Sequence, residues 1–295
     1  MEIGKIIKSN SGFYDVKTQT GQIVRTRARG NFRQQKIKPL VGDIIEFEQD
    51  YILKIKPRKN EIIRPLIANV DQALIVMSAV QPTFSNNLLD RFLVNLQAQK
   101  IKPLIYLSKT DLTPPTDLAI IHQQLFYYER FGYQVFDQQQ MSELKIALSQ
   151  FETVVTGQTG TGKSTLINRL LPNLKLKTDA ISDSLHRGKH TTRLVTLYPF
   201  QDGLIADTPG FSSLKFQGIT KELLPQLFVD FQYFQPFCKY RSCLHLNEPD
   251  CAVKQAVHEQ KILASRYDNY CQFQEELAQI RPVYQKISNK KEGKR

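Results

Sequence analysis

Residues 1 to about 63 alternate between hydrophobic and polar positions in short runs that turn residues interrupt. A period of two is typical of β-strands that bury one face, and no helical period competes with it. Strands are therefore predicted at Ile3–Ser9, Phe13–Thr18, Gln22–Arg29, Asp43–Gln49 and Tyr51–Ile55. Short strands separated by turns indicate a small β-barrel.

Beyond residue 70, continuous apolar runs alternate with segments of helical spacing. Such runs are typical of strands buried on both faces, and their alternation with helices indicates an α/β sheet. Strands are predicted within Val70–Val80 and at Pro103–Leu107, Phe151–Thr156, Val195–Tyr198 and Gly203–Ala206. Helices are predicted at Leu88–Gln99 and Thr165–Leu171.

Two changes of composition suggest three domains. The basic, Pro-containing segment Pro57–Pro65 is predicted to be a linker, and from Gln217 the spacing becomes helical, with a long helical run at Val257–Leu277. We expect a barrel at 1–63, an α/β domain at 64–216 and a helical domain with a basic tail at 217–295.

The charge of the chain points to a polyanionic partner. The net charge is +12 and the pI is about 9.4, which favours nucleic acid over a membrane surface. No stretch approaches the ~20 apolar residues of a membrane-spanning helix, and the N-terminus lacks the form of a secretion signal. We expect a cytoplasmic protein whose four cysteines bind metal or are buried rather than forming disulfides.

The stretch Gly157–Ser164 fits the phosphate-loop pattern G-x-x-x-x-G-K-[ST] and lies between a predicted strand and a predicted helix. Its glycines let backbone N–H groups turn toward phosphates, and the helix N-terminus adds its positive end. Lys163 is expected to reach the terminal phosphates, and Ser164 to offer its hydroxyl to Mg²⁺. A Gly-rich turn is the alternative. The predicted nucleotide contacts are Gly157, Gln158, Thr159, Gly160, Thr161, Gly162, Lys163, Ser164 and Thr165.

A second motif, Ser108-Lys109-Thr110-Asp111, follows a predicted strand and resembles the guanine-specificity motif [NST]-K-x-D of GTPases. The Asp111 carboxylate can accept hydrogen bonds from N1–H and the 2-amino group of guanine, whereas adenine has no amino group there. Lys109 is expected to lay its aliphatic stem along the base. A surface turn that closes a strand is the alternative interpretation.

A third motif, Asp207-Thr208-Pro209-Gly210, follows the last predicted strand. D-x-x-G at this place suits a γ-phosphate sensor, in which Asp207 reaches Mg²⁺ through water and the Gly210 N–H meets the γ-phosphate. An ordinary turn is the alternative. The guanine motif precedes the phosphate loop, the reverse of the usual order, so a functional guanine motif requires a circularly permuted domain.

The polar segment 178–193 has no clear periodicity and is predicted to be a mobile loop. Ras-type GTPases place a water-orienting glutamine directly after D-x-x-G, but that position is Phe211 here, which has no hydrogen-bonding group. Thr192 is the predicted Mg²⁺ ligand, because it precedes a basic residue as in related GTPases. His190 is the candidate that holds the attacking water, with a phosphate or RNA contact as the alternative. With Lys163, these residues form the predicted catalytic set.

The helical region contains Cys238-x₄-Cys243-x-His245-x₅-Cys251. Three thiolates and one imidazole suit a tetrahedral structural zinc site, since no coordination position remains for water. Cysteines buried as small hydrophobic residues beside an incidental histidine are the alternative. Cys271 is expected to be an ordinary helix residue.

The strand predicted at Gln22–Arg29 places Arg25, Arg27 and Arg29 on one face. Nearby aromatic residues are the expected stacking partners: Phe13, Tyr14 and Phe32. An oligonucleotide-binding (OB) barrel that grips a phosphate backbone is favoured over a merely solvated sheet face.

Together these motifs resemble the ribosome small-subunit-dependent GTPase A family of bacteria, over essentially the whole chain. The resemblance rests on Gly30–Arg33, Pro39–Asp43, Gly157–Ser164, Gly188–Arg193, Asp207–Gly210 and the Cys₃His set. It implies an OB barrel, a permuted α/β P-loop GTPase domain and a helical zinc-binding domain. It further implies GTP and GDP with Mg²⁺, one structural Zn²⁺, and the small ribosomal subunit with its rRNA as the partner of a monomeric enzyme.

Two positions depart from this family's pattern. Ser108 stands where asparagine is usual, which removes an amide that normally ties the guanine motif to the phosphate loop. A lower nucleotide affinity is therefore expected, while Asp111 keeps the selectivity for guanine. The second base-contacting loop is expected near Val135–Gln140, where its usual Ser-Ala is absent. Two other functions remain open at this point: an ATP-dependent kinase or nucleic-acid motor, and an RNA-binding module with a structural nucleotide site.

Overall fold

Five strands form a closed barrel at the N-terminus of the protein. The computed structural model describes residues 1–30, 32, 37–63, 66–174, 176, 195–208, 214–216 and 218–279. The strands are β1 (Glu2–Asn10), β2 (Phe13–Thr18), β3 (Ile23–Ala28), β4 (Ile44–Glu48) and β5 (Tyr51–Ile55). Neighbours pair in the order β1-β2-β3-β5-β4, and β4 pairs back with β1. The predicted five-stranded barrel is confirmed.

The barrel core follows from the alternation of the strands. Inward side chains such as Ile6, Val16, Ile45, Phe47 and Ile52 are each at most 1% exposed. The outward positions between them are polar or partly exposed. A small closed barrel fills its interior with such side chains and leaves its outer face for other contacts.

The segment predicted as a linker, Pro57–Pro65, instead contains strand β6 (Glu61–Ile63), which pairs with strand β7 (Leu66–Ala68) directly after the segment. Just before these strands, Arg58 forms an ion pair with the fully buried carboxylate of Asp43. Its Nε is 2.7 Å from Oδ1 and its Nη2 is 2.8 Å from Oδ2. Gly42, at φ +90°, lies so close to β7 that a Cβ there would be 2.0 Å from a backbone oxygen. An ion pair and close backbone packing therefore fix this segment to the barrel, so the linker prediction is wrong.

Six further strands extend the same sheet into an α/β layer of order β10-β9-β8-β11-β13-β12. They are β8 (Gln72–Ser78), β9 (Lys102–Ser108), β10 (Gln134–Phe136), β11 (Glu152–Thr156), β12 (Thr196–Phe200) and β13 (Gly203–Asp207). All pair in parallel except β12, which is antiparallel to β13. The barrel joins this layer where Lys8 of β1 pairs with Thr196.

Helices cover the parallel strands, which explains why those strands are apolar throughout. The helices are α1 (Asn86–Ala98), α2 (Pro115–Arg130), α3 (Met141–Leu148) and α4 (Lys163–Leu170). Leu74, Leu104, Val155, Leu144 and Leu166 meet in one core cluster, each no more than 2% exposed. No helix in the described part of the chain has the length and hydropathy needed to span a membrane.

The chain divides into two compact units, Met1–Lys215 and Phe216–Arg295. The second contains short 3₁₀ turns and the helices α5 (Val229–Phe234), α6 (Ala252–His258) and α7 (Ala264–Gln279). The single helical run predicted at Val257–Leu277 is wrong, because residues 259–263 break it into α6 and α7. Gln260 lies there at φ +57°, a left-handed conformation that ends a helix.

The core of this second unit is aromatic and contains one buried ion pair. Phe228, Phe231 and Tyr270 contact one another with ring centroids 4.9 to 5.3 Å apart. The Arg266 guanidinium makes two hydrogen bonds of 2.7 and 2.8 Å to the Asp230 carboxylate, and both side chains are 1% exposed. This bidentate geometry satisfies charges that burial alone would penalise.

Candidate nucleotide site and metal centre

The carboxyl ends of the parallel strands bring three predicted motifs to one edge of the sheet. The phosphate loop follows β11, the guanine motif follows β9, and Asp207 ends β13. Thr208 supports this edge, since its hydroxyl donates to the backbone oxygen of Val155 at 2.6 Å. An open α/β sheet binds ligands at this edge, where the strand order reverses.

The phosphate loop has the backbone conformation that its glycines permit. Gly157, Gly160 and Gly162 have φ values of +146°, +83° and +86°. A Cβ on Gly157 would be 2.4 Å from the backbone oxygen of Val76 in β8, so only glycine fits there. The loop then runs into the N-terminus of α4, where backbone N–H groups and the helix dipole favour an anion.

Lys163 keeps its ammonium group within the phosphate loop. Its Nζ donates to the backbone oxygens of Gly157 at 3.0 Å and Gln158 at 2.7 Å, and the residue is 8% exposed. Ser164 beside it is half-buried, whereas Thr165, Thr159 and Gly160 are exposed. A positive charge on a loop of inward-turning amides is suited to bind phosphate oxygens.

Ser108 connects the guanine motif to the phosphate loop. Its Oγ lies 2.6 Å from the backbone oxygen of Thr161 and 3.1 Å from that of Met77. The hydroxyl has one proton, so its main bond is to the nearer oxygen in the phosphate loop. The serine hydroxyl thus joins the guanine motif to the phosphate loop without the amide of asparagine, and the lower nucleotide affinity expected from the missing amide stays a prediction.

Ser108→Ala is expected to weaken GDP binding about fivefold, because one net hydrogen bond between the two loops contributes about 1 kcal/mol. Titration of the purified protein with a fluorescent GDP analogue measures this loss. Ser149→Ala is the matched control, since the Ser149 hydroxyl bonds only to a backbone oxygen near the exposed end of α3. Equal affinity of Ser108→Ala and wild type would contradict the proposed connection.

In the rest of the guanine motif, Lys109 is half-buried, Thr110 is buried and only Asp111 is exposed. Lys109 has a left-handed backbone at φ +59°, and its Nζ donates to the backbone oxygen of Gln81. Asp111 lies on a 3₁₀ turn with its side chain exposed. The sequence did not indicate the loop that carries Gln81, because only the fold brings it beside Lys109. Pro82 of this loop also lies next to Gly160, 3.8 Å from the position of a Cβ there.

The segment in which a second base contact was expected follows β10 at the same edge of the sheet. β10 pairs in parallel with β9, so residues 137–140 lie next to the guanine motif in strand order. Asp137 closes this loop as a capping box, accepting from the Gln139 N–H at 2.7 Å while its own N–H donates to the Gln140 side chain at 3.2 Å. A self-capped Asp-Gln-Gln-Gln turn stands where the family's Ser-Ala was expected.

Three predicted site residues, His190, Thr192 and Gly210, lie outside the described residues. Phe211 does as well.

In the second compact unit, Cys238, Cys243, His245 and Cys251 converge, with their ligand atoms all within 4.8 Å of one another. Nδ1 of His245 is 3.6 Å from Sγ of Cys238 and 3.4 Å from Sγ of Cys251, and these two sulfurs are 4.0 Å apart. Tetrahedral zinc with bonds of about 2.0 to 2.3 Å separates its ligand atoms by roughly 3.5 to 3.8 Å. The four residues therefore fit such an ion.

The histidine of this cluster has two distinct ring nitrogens. Nδ1 faces the sulfurs, whereas Nε2 is buried without a hydrogen-bond partner among the described residues. Burial lowers the pKa of His245, which favours the neutral ring that ligates metals. Burial also raises the pKa of Cys243 to about 12, so metal binding at neutral pH must release protons from the thiols.

Arg25 and Arg27 of β3, with Arg29 just after its end, form an exposed surface with two aromatic rings. Arg25 lies over the ring of Phe13 at 4.8 Å, and Arg27 and Arg29 lie over that of Tyr51 at 4.5 and 5.7 Å. Arg27 also pairs with Asp50 at 3.0 Å. We call Arg25, Arg27, Arg29, Phe13 and Tyr51 the arginine-aromatic face.

Two predicted stacking residues are not part of this face. Tyr14 and Phe32 are 5% and 6% exposed, so the prediction that they stack on a ligand is wrong. Tyr14 points inward because it alternates with the exposed Phe13 along β2. Tyr51 was missed because β5 meets β3 only in the folded barrel.

Known proteins resemble this chain over nearly its full length. The family models for the RsgA N-terminal domain and the RsgA GTPase match residues 3–51 and 55–217. The protein named small ribosomal subunit biogenesis GTPase RsgA from Latilactobacillus sakei subsp. sakei (strain 23K) is 50% identical, with 97% of this chain and 99% of that protein covered. The protein of the same name from Pediococcus pentosaceus is 47% identical, and the alignment covers 100% of this chain and 99% of that protein.

Two solved structures share the fold. The crystal structure of YloQ, a circularly permuted GTPase, has a TM-score of 0.80 at 41% identity and covers 96% of this chain and 97% of its own. The crystal structure of YjeQ from Thermotoga maritima has a TM-score of 0.82 at 31% identity, and the match covers 95% of this chain and 99% of that chain.

Fold and motif order together define a circularly permuted P-loop GTPase with an N-terminal barrel, and the predicted permutation is confirmed. The chain belongs to the RsgA GTPase family. It is therefore a GTP-hydrolysing enzyme, and not an ATP-dependent kinase, motor or simple RNA-binding module. Membership of the family implies GTP and GDP as ligands and Mg²⁺ as a cofactor.

Proposed function

We propose that the enzyme binds the small ribosomal subunit, assists its late maturation and hydrolyses GTP faster when bound to it. The names of its relatives support the partner. The observation that carries the GTPase site is the Ser108 bond to Thr161, which joins the guanine motif to the phosphate loop across more than fifty residues of sequence.

Within this site, each motif has its own task. Asp111 selects guanine, and Lys109 lies along the base. The amides of Gly157–Thr165, with the Lys163 ammonium, bind the phosphates and stabilise negative charge that develops in the transition state. Ser164 and Thr192 would hold Mg²⁺, and Asp207 would reach it through water. When bound there, the ion would supply positive charge that offsets the negative charge of the phosphates.

His190 is the proposed water-positioning residue, with Gly210 contacting the γ-phosphate. The support is chemical: Phe211 cannot orient water, and a histidine two residues before Thr192 has a ring nitrogen that can. In this proposal the small subunit places His190 and Thr192 for hydrolysis, so intrinsic turnover is slow and subunit-bound turnover is fast.

The Cys₃His cluster is proposed to hold one structural Zn²⁺. The ligand spacing and the buried His245 ring support this assignment. Four protein ligands leave no open position, so the ion stabilises the fold of the second unit and takes no part in hydrolysis.

The arginine-aromatic face is proposed to bind rRNA, with the arginines on phosphates and the rings stacked on bases. The Arg25/Arg27/Arg29→Ala triple variant is expected to weaken subunit binding and to lower its salt slope by about one unit for each phosphate that an arginine neutralises in the wild type. Binding measured between 50 and 200 mM salt, a range of roughly fourfold, tests this. Lys100, Lys102 and Lys145 on other exposed surfaces supply a control triple variant of equal charge change. Wild-type affinity and slope in the arginine variant would mean that the face is merely solvated.

Three broader assignments belong to the same proposal. The domain limits are 1–63, 64–216 and 217–295, the first supported by the closed barrel and the last by the compact unit that begins at Phe216. The enzyme acts as a monomer in the cytoplasm. It works on a ribonucleoprotein and not at a membrane, which its net charge of +12 supports.

Cosedimentation with purified small subunits tests this function. Binding should be strong with a non-hydrolysable GTP analogue and weaker with GDP, because hydrolysis is expected to release the enzyme from the subunit. Absence of cosedimentation in both nucleotide states at low salt would contradict it.

A further inference from the structure

The carboxylate of Glu248 accepts hydrogen bonds from the backbone of the turn that carries His245. Oε1 of Glu248 accepts from the Leu244 N–H at 2.7 Å, and Oε2 accepts from the Leu246 N–H at 2.9 Å. Both carboxylate oxygens thus bind backbone on either side of the histidine. A carboxylate bound to two N–H groups gives strong, charge-assisted hydrogen bonds.

Helices α6 and α7 hold the carbonyl groups of the same turn. The Tyr270 hydroxyl donates to the backbone oxygen of Leu244, and that of Tyr267 donates to the backbone oxygen of His245 at 2.7 Å. Nζ of Lys254 donates to the backbone oxygen of Leu246 at 3.1 Å. Five backbone groups in three consecutive residues are therefore bound by side chains. We call Glu248, Lys254, Tyr267 and Tyr270 the histidine frame.

The frame holds a conformation that the turn would seldom adopt by itself. His245 has φ +59°, in the left-handed region that residues with a Cβ rarely occupy. Its fully buried ring packs edge-on against Phe231, with centroids 5.8 Å apart. This backbone conformation, with the ring so packed, aims Nδ1 at Cys238 and Cys251.

We propose that Glu248 is a positioning residue for the metal site, which pre-organises His245 before an ion arrives. This inference rests on the proposed zinc site but makes a separate claim about affinity. Glu248 is not among the four clustered ligands, and its two oxygens instead bind backbone N–H groups. In Glu248→Gln an NH₂ group replaces one acceptor, so one N–H of the turn loses its partner and the left-handed turn relaxes.

The test is chelator competition for Zn²⁺ on the full-length protein, with Co²⁺ substitution to record the ligand-field absorption of the site. Glu248→Gln is expected to lower zinc affinity about 10- to 100-fold, the usual effect of losing a residue that orients a metal ligand. The cobalt bands should shift, because the histidine no longer holds its geometry. Glu259→Gln is the matched control, since Glu259 is exposed and pairs with Lys261; its affinity and spectrum should equal those of the wild type.

Tyr267→Phe is the second variant, because it removes one hydroxyl from the frame and keeps the ring. It should lower zinc affinity about tenfold, and it decides the question if Glu248→Gln does not fold. Wild-type affinity and cobalt bands in a folded frame variant would overturn the role of the frame while leaving the zinc site intact. A wild-type chain that binds no zinc would instead overturn the metal site and the frame with it.

Discussion

Asp111→Asn is expected to lower the affinity for GTP about 100-fold or more and to turn the enzyme toward xanthosine triphosphate. In the proposed site the Asp111 carboxylate would accept two hydrogen bonds from guanine, and each bond to a charged group contributes about 1.5 to 3 kcal/mol. Asparagine keeps one acceptor for N1–H and adds a donor, which meets the 2-oxo group of xanthine. Competition of GTP, XTP and ATP against a fluorescent nucleotide measures both effects.

Asp117→Asn is the control for this change, because Asp117 is an exposed acid in the first turn of α2. Its nucleotide preference should remain that of the wild type. Unchanged selectivity for GTP in Asp111→Asn would mean that Ser108–Asp111 is not the guanine site, despite its position beside the phosphate loop.

Cys243→Ala is expected to remove the metal and to unfold much of the chain beyond residue 220. Structural zinc contributes on the order of 10 kcal/mol to the folding of small domains, and this unit otherwise depends on a modest aromatic core. Nucleotide binding should persist, since the phosphate loop belongs to the other compact unit. Elemental analysis and amide hydrogen exchange of residues 218–279 measure the loss.

Cys271→Ala provides the matched control, because Cys271 lies on α7 and is not among the clustered ligands. It should retain about one zinc per chain, the content that we expect of the wild type. Full zinc content in Cys243→Ala, with exchange protection equal to wild type, would contradict a structural role for the cluster.

Features carried by a continuous stretch could be predicted from the sequence. The five barrel strands follow from their alternation, and the phosphate loop follows from glycines at positions with positive φ between a strand and a helix. The Cys₃His cluster follows from spacing alone. In each case the residues that form the feature are close together in the sequence, so a local sequence pattern is enough to predict it.

Features that depend on distant segments could not be predicted in this way. Ser108 ends β9, and Thr161 lies in the loop after β11. The Ser108 hydroxyl reaches Thr161 because only one strand, β8, lies between β9 and β11 in the sheet. Tyr51 joins the arginines through the β3–β5 pairing, and Glu248 binds the turn of His245 through backbone groups that no motif describes. The paired strands at 61–68 escaped prediction because their basic, Pro-containing surroundings look like a linker.

Single-turnover GTP hydrolysis, with and without saturating small ribosomal subunits, tests the central claim most directly. We expect slow intrinsic hydrolysis that the subunit accelerates in the wild type, while His190→Ala binds the subunit normally but does not show the acceleration. Normal stimulation of His190→Ala would remove that residue from the mechanism. A wild-type enzyme whose hydrolysis rate is the same with and without bound small subunits would contradict the proposed function as a whole.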